Sequence, residues 1–507
     1  MDIEQFRRAG YRAIDQICEY YSTLHERPVA SQVEPGYLRK AIPTEAPEAG
    51  EDFGLIAQDY HKYIMPGLTH WQHPLFFAYF ATPSTFEAIL GDLYASSVPN
   101  PGFNWSASPA CTELEAVVMD WAAKMLGLDQ SFYNTSEVGG GAIQTSASDS
   151  ALVATVAARS RYMQQHPDVP VEKLLIYTTT QTHSLGKKAG LVLGLKVRAL
   201  EVTSQNNFAL RGCTLRQGLE EDKAAGLHPF TLIGTVGTTS SGAVDRLDEL
   251  GPILASHPSI WLHVDAAWAG MAMACPEYRE LCLLDEINKY GDSFCTNFHK
   301  WGLVNFDCSG FWVRDRGNLT SALDVTPEFL RTKHGDAGTV IDYRNWHFGL
   351  GRKFRSLKLW FVLRSYGVEG FQRYIRQTIK YNDMFVSLIR ESTDFGLVTP
   401  PSLALTVFRL DPPFTKLLPL ASLNELNKIF YRRISTRSDI ALTQTDLNGT
   451  FCIRMAVGAE RTSEDHIRRA YDILCQEAKV ALEEWENRDK EIQDDVPNLC
   501  SGLNSNQ

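Results

Sequence analysis

The chain has 507 residues, with 60 acidic against 49 basic side chains, a net charge of −11 and a pI of about 5.7; this argues against a nucleic-acid surface, which needs a basic face. Its 44% hydrophobic and 21% charged shares are those of an ordinary globular protein, long enough for two or three domains. No run approaches about 18 consecutive apolar residues, the start Met-Asp-Ile-Glu-Gln has no apolar core behind it, and the ten cysteines include no C-x-x-C pair, so no membrane span, signal peptide, disulfide framework or metal site is expected, and reduced thiols in a cytoplasmic setting are.

Phe6, Tyr11, Ile14, Ile17, Cys18 and Tyr21 recur at helical spacing, and Pro28, Pro35, Pro43 and Pro47 then break the chain into extended pieces. Such an arm cannot bury the stripe of the helix before it, so a partner subunit is its expected cover. Further on, Trp71, Phe76, Phe77, Tyr79, Phe80, Phe103 and Trp105 crowd into turn-rich stretches. Aromatic side chains placed this way can line a flat apolar pocket as well as pack a core.

Gly139-Gly140-Gly141 reads as a turn leading through Ser146-Ala147-Ser148-Asp149-Ser150 into a helix from Ala151 to about Gln164. Hydroxyls and free N–H groups at a helix start hold an anion; Ser148 or Ser150 would equally serve as an ordinary cap. No G-x-x-x-x-G-K-[ST] motif supports a nucleotide. Strands are expected at Leu174–Thr178, Lys196–Val202, Phe230–Val236, Ile260–Val264, Ser293–Asn297 and Cys308–Val313, with helices at Leu185–Leu193, Leu215–Ala225 and Leu247–Ala255. This alternation implies an α/β fold with a mostly parallel sheet, whose ligands sit at the carboxyl ends of strands. Thr238-Thr239, Asp265 and Lys300 fall at such ends, and His183 falls just past another.

Residues 326–342 lack periodicity and read as a lid. A helix over Lys353–Tyr366 leads to a smaller region with strands at Leu403–Leu410 and Ile440–Thr443, a hairpin at Thr445–Ala456 turned by Asn448-Gly449, and a helix from Ser463 to about Asn487. The polar residues 488–507 read as disordered. The expected division is a dimerisation segment at 1–85, a large cofactor-binding domain at 86–370 and a small domain at 371–487.

A lysine and an aspartate at neighbouring strand ends are what pyridoxal phosphate chemistry needs: an amine for a Schiff base with the aldehyde, and a carboxylate to keep the ring nitrogen protonated. With the anion site and the aromatic residues, a pyridoxal phosphate enzyme is the best reading.

The sequence also resembles the group II pyridoxal-phosphate decarboxylases, specifically the aromatic-L-amino-acid decarboxylases. The resemblance lies in Pro35-Gly36-Tyr37-Leu38-Arg39, Phe76-Phe77-Ala78-Tyr79-Phe80, Ser108-Pro109-Ala110-Cys111-Thr112-Glu113-Leu114-Glu115, His263-Val264-Asp265-Ala266-Ala267, His299-Lys300-Trp301 and Leu357-Lys358-Leu359-Trp360-Phe361-Val362, and extends over roughly residues 1–485. It implies the type I aminotransferase-like fold and a homodimer with sites at the subunit interface. It further implies that Lys300 carries the cofactor, Asp265 pairs with its ring nitrogen, and Ala267 and His183 pack on the two ring faces. Ala147, Ser148, Asn297 and His299 would hold the phosphate, and Thr239 would touch a ring substituent. Trp71, Tyr79, Phe80, Thr82 and Phe103 would line the substrate pocket, Phe103 from the partner subunit. Gly351 matches a position where plant relatives carry Gly for indolic and Ser for phenolic substrates, which tilts the choice among tryptophan, tyrosine, DOPA and phenylalanine toward tryptophan.

The sequence departs from the family at Phe298, where animal relatives often have Pro, and in the lid. The family's catalytic tyrosine, whose hydroxyl delivers a proton to the substrate α-carbon after CO2 leaves, falls at Phe329. Phenylalanine has no proton to give, and general acid catalysis is worth roughly 10²–10⁴-fold. Plant relatives with this change are aromatic acetaldehyde synthases, which consume O2 and release an aldehyde, CO2, ammonia and hydrogen peroxide. That outcome is favoured here; the alternative is an ordinary decarboxylase giving an amine such as tryptamine or tyramine, with another group or water supplying the proton.

Overall fold

The computed structural model describes residues 1–494, and side chains as far as residue 487. Seven strands form the large sheet: β1 (Gly140–Gln144), β2 (Leu174–Thr179), β3 (Lys196–Leu200), β4 (His228–Thr235), β5 (Trp261–Asp265), β6 (Ser293–Asn297) and β7 (Ser309–Val313), in the order β1-β7-β6-β5-β4-β2-β3. From β3 to β6 all neighbours are parallel, while β7 runs antiparallel to both β6 and β1. The central strands are buried along their whole length, as the apolar runs predicted for strands covered on both faces. Helices at Leu185–Leu193 and Leu247–Ala255 stand where they were expected. The fold is α/β, with a mostly parallel sheet.

Several expectations are corrected. Gly140 and Gly141 are not a turn but the start of β1. A Cβ on Gly140 would lie 2.7 Å from the Trp346 ring, and one on Gly141 2.5 Å from the Trp312 ring, so these glycines serve close approach within a strand. The following helix begins at Ala147, four residues early, because Ser146 is its cap: its Oγ accepts the Asp149 N–H at 3.3 Å. The helix expected over Lys353–Tyr366 starts at Arg355 and does end at Tyr366: Gly367 is non-helical, with a φ of +60° that a side chain would disfavour, and a second helix runs on from there to Glu391.

The smaller sheet has the order β10-β11-β9-β8, with β8 (Phe395–Leu397), β9 (Leu405–Leu410), β10 (Thr443–Leu447) and β11 (Thr450–Ala456) all antiparallel. The hairpin turns at Asn448-Gly449. No strand occupies Ile440–Leu442; instead Ala441 bridges to Phe76 of the N-terminal arm, a long-range pairing no local pattern announces. The last helix, Glu464–Asp494, continues through 488–494, part of the stretch expected to be disordered; residues 495–507 lie outside the described residues. Among the described residues no helix is long and apolar enough to cross a membrane.

Candidate active site

Strands β1, β2, β4, β5 and β6 all end on one side of the large sheet, and their ends build the site. Asp265 is the last residue of β5, and Lys300 lies on the single turn Phe298–Trp301 directly after β6. Thr239 follows β4, His183 follows β2, and Ala147 and Ser148 open the helix after β1. These residues, with Phe80, Ala267, Asn297 and His299, surround one cavity of about 210 Å3. This is smaller than the roughly 300–1,000 Å3 of a drug-sized ligand pocket, and suits a single compact ring.

One wall is a stack of aromatic rings. Phe80 lies on Trp268 at 4.6 Å between centroids, and Trp268 on Trp301 at 5.3 Å. Two basic groups face Phe80: the Lys300 amine at 5.4 Å and the Arg454 guanidinium at 4.9 Å. Burial pushes the Lys300 pKa down, against the opposite pull of the Asp265 carboxylate, so the amine is moved toward the neutral form that attacks an aldehyde.

The groups behind Asp265 are uncharged. Its Oδ1 accepts the Ala267 N–H at 3.0 Å and the Cys295 thiol at 3.8 Å. Burial drives the Cys295 pKa well up and pushes that of His263, 3.7 Å from the same thiol, down to about 3. The negative charge of Asp265 is therefore available to the cavity.

His183 and His299 each accept a backbone N–H on Nδ1, from Leu185 at 3.3 Å and Cys308 at 2.9 Å. Burial lowers both pKa values, that of His299 to about 4, so each neutral ring carries its proton on Nε2 as a donor. Asn297 Oδ1 and Thr235 Oγ1, both buried in the cavity wall, have no partner among the described residues. A bound polar group would satisfy them. An amine, a carboxylate, a helix N-terminus with its hydroxyls and two imidazole N–H groups together fit a phosphorylated pyridine aldehyde.

Other residues singled out in the sequence do not border this cavity. Trp71 stacks on Tyr79 at 5.3 Å, the Thr82 carbonyl accepts from the Gln72 amide, and the Phe103 carbonyl accepts the Arg344 N–H at 2.9 Å. Gly351 lies beside Pro101. Phe329 sits on the short turn Glu328–Leu330 with 79% of its surface exposed. Sequence reasoning did not assign site roles to Ser146, Leu185, Thr235, Gly237, Trp268 or Arg454. Ser146 stood within a string already singled out, and Trp268 directly follows another, His263–Ala267; Arg454, on β11, carried no local signal.

The model for the "Pyridoxal-dependent decarboxylase conserved domain" matches residues 35–411. The Rattus norvegicus aromatic-L-amino-acid decarboxylase is 44% identical over 491 residues, covering 95% of this chain and 99% of that one. The Arabidopsis thaliana phenylacetaldehyde synthase is 43% identical over 485 residues, covering 95% and 97%. The crystal structure of Oryza sativa TDC with PLP and tryptamine superimposes with a TM-score of 0.91 at 34% identity, over 94% of this chain and 98% of that one. The chain therefore belongs to the pyridoxal-dependent decarboxylase family, and its cofactor is pyridoxal 5'-phosphate.

Proposed function

We propose that this enzyme decarboxylates aromatic L-amino acids and, because Phe329 takes the sequence position of the family's proton-donating tyrosine, releases them as aromatic acetaldehydes. The observation that carries the aldehyde outcome is this one side chain. The relatives include enzymes named for either product, so overall likeness does not choose between them.

When bound, pyridoxal phosphate supplies the electron sink that accepts the pair freed by the departing carboxyl group. The protein's residues do the rest. Lys300 holds the cofactor through its amine, and Asp265 keeps a proton on the ring nitrogen. Ala267, His183 and Thr239, which line the cavity, would hold the cofactor's ring. Ala147, Ser148, Asn297 and His299 bind the phosphate. Trp71, Tyr79, Phe80, Thr82 and Gly351, with Phe103 of a second copy, enclose the substrate's aromatic side chain, tryptophan above the phenolic amino acids. Phe329, exposed on its own subunit and away from the cavity, would meet the reacting carbon at a second copy's site, where it would offer no proton. With no proton delivered to that carbon, the two electrons freed with CO2 would reduce O2, which would leave as H2O2 with two protons; water would release the nitrogen as NH3. One amino acid, one O2 and one water thus give one aldehyde, CO2, NH3 and H2O2.

A homodimer completes this reading. The helix Ile3–Ser22 buries only Ala9 and leaves Phe6 65% and Tyr11 67% exposed. Together with residues 53–70 it borders an apolar groove of about 1,120 Å3. A second copy laid there would cover the groove and would also give the exposed Phe329 a site to serve.

The amine-forming reading keeps one supporting observation: His183 lines the cavity with its Nε2 proton as a possible replacement donor. Purified enzyme, supplied with cofactor and separately with tryptophan, tyrosine, phenylalanine and DOPA under air, discriminates the two. Aldehyde with stoichiometric peroxide supports the proposal, and Phe329→Tyr should then restore amine. Amine without peroxide sinks it.

A further inference from the structure

We infer that the buried ion pair Glu115–Arg352 is a positioning device, which ties the segment bearing Gly351 to the loop Ser146–Ser148; the inference rests on the reading of that loop as the phosphate cradle. Strand β1, which feeds the loop, is an edge strand paired only with β7. Its other side would present unpaired backbone groups, costly when buried. Side chains fill the place of the missing strand. The Asn134 amide donates to the Gly141 carbonyl and accepts the Gly141 N–H, each at 3.3 Å. One residue pair further on, Glu115 Oε1 accepts the Ile143 N–H at 2.8 Å, and Arg352 Nη2 donates to the Ile143 carbonyl at 2.9 Å.

The two side chains hold each other by two bonds of 2.6 Å. Both are nearly inaccessible, with 5% and 6% of their side-chain surface exposed. Arg352 is anchored in turn by its own N–H on the Pro101 carbonyl at 2.6 Å, and its guanidinium lies 4.8 Å from the centre of the Tyr343 ring. Ile143 is three residues from Ser146. The distance from substrate-side segment to phosphate loop is thus spanned by one guanidinium, one carboxylate and one residue of strand. A bidentate fork is rigid in a way that an ammonium is not, so the pair sets the height at which β1 delivers the loop. This assigns a task to two sequence features otherwise unexplained: Glu115, which ends the string Ser108–Glu115, and Arg352, which follows Gly351.

The test compares two ligands on the full chain stripped of cofactor: pyridoxal phosphate and pyridoxal, which lacks the phosphate. Binding is read by quenching of tryptophan fluorescence, with thermal unfolding alongside, in Arg352→Lys, in the double variant Glu115→Met/Arg352→Met, and in Ser148→Ala. Removing both charges leaves neither buried and unpaired, so the double variant is the one suited to fold. Both pair variants should weaken pyridoxal phosphate on the order of tenfold, the scale of outer-shell partners, and leave pyridoxal within about twofold. Ser148→Ala should weaken pyridoxal phosphate alone. Equal loss for both ligands, no loss in folded variants, or failure of both pair variants to fold overturns the positioning role. An unchanged Ser148→Ala overturns the phosphate cradle itself, and the coupling with it.

Discussion

Replacing Asp265 with Asn should have opposite effects on activity and on the stability of the cofactor-free protein. Asp265 is 3% exposed, and the groups behind it, His263 and Cys295, are neutral, so no charge behind it competes with the cavity for its own. An opposite charge at contact distance holds a pKa by about 1–3 units, or roughly 1.4–4 kcal/mol. If protonation of the ring nitrogen counts fully in the transition state, the loss in kcat/KM is about 10- to 1,000-fold. Asparagine has the same shape, and its carbonyl can still accept the Ala267 N–H. Removing a buried charge should therefore leave the cofactor-free protein as stable as before or raise its Tm, as is common where a site trades stability for function. Lys300, already pushed toward neutrality by burial, loses the carboxylate that opposed this shift, so cofactor capture should extend to lower pH. Steady-state kinetics, calorimetry of the stripped protein and the pH dependence of cofactor capture check the three parts. Activity within about threefold of wild type, below the tenfold floor set by a single pKa unit, would refute the assignment of the ring nitrogen to Asp265.

Lys300→Ala should abolish the yellow Schiff-base absorbance of the holoenzyme while leaving the fold intact, which an absorption spectrum and a melting curve show together. Deleting residues 1–22 should remove part of the wall of the apolar groove and convert the proposed dimer to monomer, read by analytical ultracentrifugation; an unchanged sedimentation coefficient counts against that helix as the interface. Gly139→Ala would place a Cβ 1.8 Å from the Ser131 carbonyl oxygen, a backbone atom that cannot swing aside; a loss of at least about 1–3 kcal/mol is expected in chemical denaturation. Acid should destabilise the stripped protein: burial holds His263 at about 3 and His299 at about 4, below the ordinary 6.5, so the unfolded chain binds more protons as pH falls. Stability is full above 6.5 and is lost toward the folded values at roughly 1.4 kcal/mol per pH unit per histidine. Asp245, pushed up to about 6 by burial, works in the opposite sense and offsets one of the two. Denaturation midpoints that do not fall between about pH 7 and pH 5 would contradict this balance.

The sequence by itself determined six of the seven strands of the large sheet, β2 to β7, with helices between several of them, and with these the ends at which Asp265, Lys300, Thr239 and His183 stand. Those features are local: apolar runs of strand length, helical spacing between them, and a motif residue just after each run. It also put phenylalanine, which has no hydroxyl, at position 329, where the resemblance expects a tyrosine; that is a matter of residue type. Whatever depends on approach between distant segments was hidden. Gly140 and Gly141 looked like a turn because a sequence does not show the rings of Trp346 and Trp312 that exclude a side chain there. Phe80 could be placed near a pocket, but not as a ring shared by Lys300 and by Arg454, which comes from the other sheet. Glu115 and Arg352 stand 237 positions apart, and each alone reads as a solvated charge. Only the fold, by closing the edge of β1 with them, makes them a buried pair, because ion pairs and close contacts between remote segments leave no trace in local periodicity.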